Sequence, residues 1–238
     1  MNLSKDLPVF SFTSVPENIK KLKEEYNIKK RVVIKDFLND KFSENLFKHV
    51  FFEKNWILAT GIDKNKYEKP DTQQNTKINQ LQIKNVHTAF GKDQFSYNFY
   101  RSMNGSTKMS YFEFTIRNIL SSNDFLNHLN NITGLSLTKL TTLFLSKYKS
   151  GSFLSPHSDK GNGRLAFVLH LSKVWKPQYG GILHFMNDER TEIIDSFVPL
   201  FNSFMIFEVP PEKGIPHFVS HVSPNIKFHR YAITGWFD

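Results

Sequence analysis

LTTLFLSKY (140–148), RLAFVLHL (164–171), GILHF (181–185), SFMIFEV (203–209), FVSHV (218–222) and FHRYAITGWF (228–237) are short apolar runs that follow one another through the last hundred residues. Turn clusters separate them: Lys149-Ser-Gly151, Lys160-Gly-Asn-Gly163, Tyr179-Gly-Gly181 and Pro210-Pro-Glu-Lys-Gly214. Strands of about five residues punctuated in this way predict a β-sandwich or barrel. Working outward, the preceding half reads differently. Ser14-Val-Pro-Glu17 has the form of a capping box, and Ile19, Leu22 and Tyr26 follow at helical spacing. Residues 31–37 read as a strand, and Phe42, Leu46, Phe47, Val50 and Phe51 form one face of a second helix. A further helix is expected over 123–132, stopped by Gly134. Residues 60–92 are polar with few apolar anchors, and the reading there is a long, mobile surface loop. The expected class is α+β, mainly β: a helical N-terminal elaboration over 1–134 packs on a β core over 135–238. The two make one compact domain, with any site in the mouth of the sandwich.

Composition narrows the chemistry. The chain has 238 residues, 39% hydrophobic and 22% charged, which is enough apolar material for a core. Aromatics reach 15%, with 24 Phe, a composition that favours sheets. There is no Cys, so disulfides, thiolate metal sites and Cys nucleophiles are excluded. The sequence given starts without an apolar signal region and has no stretch long enough to span a bilayer, so a cytoplasmic protein without a membrane partner is expected. The net charge of +9 comes from lysines scattered among acids, which reads as a solvated surface rather than a nucleic-acid footprint.

Six of the nine histidines lie beyond residue 156. His157-Ser-Asp159 would put an imidazole and a carboxylate on one face of a strand. His217 lies on a later predicted strand. Two His and one carboxylate leave the other positions of a metal open, the arrangement of non-haem Fe(II) oxygenases. Arg230, thirteen residues beyond His217, shares a strand face with Ala232 and Thr234. A guanidinium buried there needs an anion, and small neighbours leave room for one.

With YKSGSFLSPHSD, GRLAFVLHLSKVWKPQYGGILHF, FNSFMIFEVP, PHFVSHV and HRYAITGWF in this order, residues 148–237 resemble the Fe(II)/2-oxoglutarate-dependent dioxygenases of the prolyl 4-hydroxylase type. The likeness is to the bacterial prolyl-hydroxylase-like group and to the enzymes that hydroxylate a ribosomal-protein proline. The resemblance implies a double-stranded β-helix, or jelly roll, flanked by N-terminal helices. It implies His157, Asp159 and His217 as iron ligands, and Arg230 on the distal carboxylate of 2-oxoglutarate. His217 is preferred over His221 because its His comes first in the family's segment; on a regular strand both would share a face. Tyr148 and His170 stand where relatives bind the cosubstrate, His170 replacing a frequent Tyr. Asp159 favours hydroxylation, since halogenating relatives carry a small residue there.

The implied cofactors are Fe(II) and 2-oxoglutarate, with dioxygen as co-reactant and ascorbate as a candidate reductant. The expected substrate is a prolyl residue in a protein or peptide, with a free amino acid or small metabolite as the alternative. Two rivals are a cupin-like metal protein without 2-oxoglutarate and a non-catalytic nucleic-acid-binding sandwich. Among the remaining residues, His184 and His229 read as strand decoration, and Trp175 and Trp236 as packing anchors. Phe95, Tyr97 and Phe99 alternate as core or groove lining.

Overall fold

A computed structural model describes residues 16–53, 55–102 and 111–238. Five helices, α1 (Pro16–Lys29), α2 (Asp40–Phe52), α3 (Thr76–Phe90), α4 (Tyr111–Leu120) and α5 (Asn123–Thr133), accompany twelve strands. The N-terminal strands are β1 (Arg31–Ile34), β2 (Trp56–Ile62), β3 (Asn65–Pro70) and β4 (Ser96–Ser102). The C-terminal ones are β5 (Leu140–Tyr148), β6 (Phe153–His157), β7 (Leu165–His170), β8 (Leu183–Met186), β9 (Ile193–Phe197), β10 (Ser203–Glu208), β11 (His217–Val219) and β12 (Arg230–Phe237).

One antiparallel sheet runs β1-β10-β7-β12-β5-β4-β6-β11-β8-β9, with β3 joined through β2 to β4. It folds back on itself at β4, so the stretch β1 to β5 forms one wall of a jelly roll and β6 to β9 the other. Period-2 alternation sorts the side chains of the first wall. Leu143 and Leu145, Leu165, Phe167 and Leu169, Phe204 and Ile206, and Tyr231, Ile233 and Phe237 pack in one cluster with residues of α1, α2, α4 and α5. Their neighbours Tyr148, Ala166, Val168, Met205, Phe207 and Ala232 join a second cluster with Leu183, Phe185 and Val219 of the opposite wall. Each fully buried side chain of this size contributes about 1.5–3 kcal/mol. The aromatic stack of Phe37 on Phe204, with centroids 4.2 Å apart, anchors the helical layer.

Local chemistry explains most boundaries. Asn39 caps α2 by accepting from the Phe42 N–H at 2.9 Å. Ser122 caps α5, and Gly134 ends it in the left-handed conformation at φ 72°, as the sequence predicts. The expected strand over 31–37 stops at Ile34, and Asp36 turns the chain at φ 47°. The Ser14–Glu17 capping box begins outside the described residues.

The loop expected over 60–92 is a correction. Those residues hold the last three residues of β2, then β3 and α3. β2 is almost entirely buried between its neighbours, whereas α3 buries only Asn79, Val86 and Ala89 and leaves Ile78 and Leu81 exposed. So thin an apolar stripe carries little periodic signal, and the helix is held by contacts with β2 and β4. The strand expected at His157–Asp159 lies earlier, as β6, which contains a Pro and ends at His157, while β9, largely exposed, was not anticipated.

Candidate active site

A cavity of about 580 Å³ lies between the two walls. β5 contributes Phe144, Ser146 and Tyr148; β12 contributes Arg230, Thr234 and Trp236; β6 and β11 supply His157 and His217 from across the gap. His217 and His157 are register partners in adjacent antiparallel strands, which sets their rings 4.3 Å apart, centroid to centroid. Asp159 lies beyond β6 rather than on it: the strand ends at His157 and the chain turns. The expectation of a shared strand face is therefore corrected, but the turn still delivers the carboxylate. One Asp159 oxygen lies 3.4 Å from His157 Nε2 and the other 3.6 Å from His217 Nε2. Ligand atoms of the three residues lie within 4.8 Å of one another, the one such group among the described residues.

Hydrogen bonding fixes which imidazole atoms face the carboxylate. His157 Nδ1 lies 3.0 Å from the Ser155 carbonyl, and His217 Nδ1 lies 2.8 Å from the Ile215 carbonyl. A carbonyl only accepts, so each Nδ1 carries the proton, and the neutral ring leaves a lone pair on Nε2. Burial first, and the neighbouring His157 imidazole second, push His217 down to about 4, so it is neutral near pH 7. Burial raises the Asp159 carboxyl, but His157 and His217, with help from Trp236, leave it below its ordinary value. A carboxylate facing two imidazole lone pairs is a cation site, and its hard and borderline donors suit Fe(II).

Arg230 faces the same cavity and is 3% exposed. Among the described residues it has no carboxylate partner, and its Nε has no hydrogen-bond partner. Its guanidinium lies over the Tyr148 ring at 4.8 Å. Tyr148 in turn stacks on Phe99, with centroids 5.2 Å apart and planes 8° apart. Burial pushes the Tyr148 phenol up to about 12, so it stays a neutral donor. Gly181 makes room for Arg230: its φ is +62°, and a Cβ there would meet Arg230 Cδ at 3.1 Å. An unpaired buried cation is costly. The arrangement fits a ligand carboxylate, as 2-oxoglutarate would provide.

His170 does not line the cavity. It sits on β7 opposite Ala232, fully buried, with both ring nitrogens unpartnered; burial and then Arg230 hold it well below its ordinary value. His221 is placed elsewhere. β11 ends at Val219 after a register shift, so the regular strand that would align His221 with His217 is absent. His221 instead stacks on Phe153 at 4.1 Å and lies near His87 and Phe90 of α3. His184 lies 2.8 Å from Ser196 Oγ and stacks on Phe218. His229 does not line the cavity. Trp175 is a packing anchor whose indole donates to the Gly180 carbonyl. Trp236, expected to pack, lines the cavity beside Asp159. Its position six residues from Arg230 on one strand is the signal that could have found it. Phe95, Tyr97 and Phe99 all line the cavity, and Phe99 also packs against the second core cluster. Lys66 and Arg190, which no motif marks, line the cavity too.

Residues 143–238 match the model of the 2OG-Fe(II) oxygenase superfamily. The chain is 35% identical over 119 residues to the prolyl 3-hydroxylase OGFOD1 of Xenopus laevis, an alignment covering 48% of this chain and 23% of that protein. The Mus musculus counterpart is 31% identical over 119 residues, covering 48% and 21%. The match thus spans under a quarter of the length of these relatives. Two solved structures share the fold. A Pseudomonas putida prolyl-4-hydroxylase aligns at TM-score 0.59 and 14% identity over 92% of this chain and 97% of its own. A Trichoplax adhaerens prolyl hydroxylase, solved with a hypoxia inducible factor peptide fragment, aligns at 0.62 and 15% over 93% and 89%.

Proposed function

We propose that this chain, whose residues 143–238 are a 2OG-Fe(II) oxygenase domain, hydroxylates an unactivated C–H bond of a prolyl residue in a protein or peptide. The observation that carries the reading is the pairing of two features in one cavity. Three donors converge on a cation position, and a buried guanidinium with no carboxylate partner among the described residues faces the same space. The names of the curated relatives, and a structural neighbour solved with a peptide, support a prolyl residue within a chain.

In this reading His157, Asp159 and His217 hold Fe(II), and Arg230 takes the distal carboxylate of 2-oxoglutarate. Tyr148 is a neutral donor beside it, and His170 stands behind Arg230. Iron and 2-oxoglutarate, when bound with dioxygen, supply the oxidising power to insert one oxygen into the substrate, with succinate and carbon dioxide released. The protein's own part is to orient and to exclude water. The Ser155 and Ile215 carbonyls lock the imidazoles in the metal-binding tautomer. Phe95, Tyr97, Phe99, Phe144 and Trp236 line the cavity with apolar surface. Residues 1–134 act as an elaboration bordering the site, and 135–238 as the catalytic core of one domain. Ascorbate is the proposed reductant. No helix among the described residues is long and apolar enough to cross a membrane, and a cytoplasmic setting is proposed.

The test is to incubate iron-loaded protein with 2-oxoglutarate and either free L-proline or proline-containing peptides, then to weigh the products. The addition of one oxygen to a peptidyl proline is expected. Oxidation of the free amino acid alone would replace the protein-substrate reading with a metabolite one.

A further inference from the structure

We infer that the cavity mouth selects substrates carrying a carboxylate close to the reacting residue, through Lys66 and Arg190. This rests on the peptide-hydroxylase reading and goes beyond it by naming the chemistry of the flanking sequence.

Four charged side chains other than histidine line the cavity: Lys66, Asp159, Arg190 and Arg230. Asp159 and Arg230 are buried, whereas Lys66 and Arg190 are exposed, so among the described residues the two outer charges on the cavity lining are both cations. The two arrive from separate elements, Lys66 on β3 and Arg190 in the β8–β9 turn. Neither forms an ion pair with a described residue; of the acids close by in sequence, Glu68 pairs with Arg101 and Asp188 with Lys213, while Glu189 and Glu192 flank Arg190 along the chain.

The backbone at Arg190 makes the placement harder to read as incidental. The residue adopts φ 60°, the left-handed region, at a turn position that Gly or Asn fills at lower cost. The turn around it is built firmly. The Asn187 side-chain oxygen accepts from the N–H groups of Thr191 and Glu192, its amide donates to Thr191 Oγ1, and the Arg190 N–H donates to the Asn187 carbonyl. A long cation kept where glycine would be cheaper points to a role for its side chain. The chemistry that two exposed cations on the lining of an aromatic-lined groove recognise is an acidic side chain of an extended peptide.

The test measures binding separately from turnover. Fluorescently labelled proline peptides, either neutral or with one glutamate moved along the sequence on each side of the proline, are titrated with the full chain loaded with Mn(II) and 2-oxoglutarate. Peptides with glutamate at a favoured position are expected to bind roughly two- to fivefold more tightly for each cation engaged, with the preference fading as salt is raised. Arg190→Gly and Lys66→Gln should each remove part of that preference. Arg190→Gly should melt no earlier than the parent, because it relieves the left-handed backbone. Equal binding of neutral and acidic peptides, or an acidic preference that survives both substitutions, would overturn the inference. A polynucleotide that binds more tightly than the acidic peptides and displaces them would overturn it in favour of a nucleic-acid surface. An acidic preference without oxidation of any proline would keep the inference and sink the prolyl reading instead.

Discussion

Replacing Arg230 by Met separates a ligand-binding guanidinium from a structural one, because the two roles predict opposite changes in stability. The side chain is 3% exposed and lacks a carboxylate partner among the described residues. Its burial is a cost that a Met of similar length would not carry, and such exchanges stabilise by about 1–4 kcal/mol. The contact with the Tyr148 ring at 4.8 Å would be lost, and a desolvated cation–π pair returns up to about 2 kcal/mol. The net expectation for ligand-free Arg230→Met is a gain of about 1 kcal/mol, or roughly 2–4 °C in Tm for a chain of this size. With 2-oxoglutarate the order should reverse. A carboxylate held by a charge-assisted bond gains about 1.5–3 kcal/mol, so its loss raises Kd roughly ten- to a hundredfold. At a concentration a hundred times the parent's Kd, the ligand stabilises the parent by about 2.7 kcal/mol and the variant by far less. Differential scanning fluorimetry with and without 2-oxoglutarate reads both effects. A variant that melts earlier without ligand and responds to 2-oxoglutarate like the parent would refute the assignment.

Further substitutions probe other parts of the site. His157→Ala, His217→Ala and Asp159→Ala should each abolish turnover and weaken Fe(II) or Mn(II) binding in calorimetry. His221→Ala, which removes a ring stacked on Phe153 away from the triad, should keep most activity; the reverse pattern for His217 and His221 would move the ligand assignment. Gly181→Ala should raise the KM for 2-oxoglutarate severalfold by crowding Arg230. Gly161→Ala, also at positive φ but with open space around its Cβ, should cost stability alone. Lys147→Met tests a buried amine on the face of β5 opposite the cavity. Burial, then Lys149, pulls Lys147 from 10.5 down to about 7, while its ammonium lies 4.2 Å from the Trp56 ring centroid. The unfolded chain keeps that proton between about pH 7 and 10.5 while the folded chain has released it, so parent stability should rise with pH across this window. Melts from neutral to alkaline pH should show that rise flattened in Lys147→Met, with stability at neutral pH raised on the order of 1 kcal/mol.

The C-terminal wall was legible because both faces of its strands are buried. Residues 165–170 read as a continuous apolar run and lie inside on both sides, one face against the helices and the other toward the cavity. The triad and Arg230 were legible for another reason: few residue types ligate metal or fork onto a carboxylate, and their order along the chain is distinctive. What escaped depends on tertiary contact. α3 is held by its neighbours more than by its own stripe, and β9 is an exposed edge whose Ile193 and Ile194 are half open to solvent. The His221 ambiguity turned on a register shift in β11, which no pattern of side chains announces. Lys66 and Arg190 looked like two of many scattered cations until the fold set them at one opening.

The most direct test of the account is the stoichiometry of the coupled reaction. Iron-loaded protein, 2-oxoglutarate and a hydroxylatable proline peptide should yield one succinate for each oxidised prolyl residue, and Asp159→Ala should lose both products together. Peptide oxidation that proceeds without 2-oxoglutarate, or an Asp159→Ala protein that still forms both products, would contradict it.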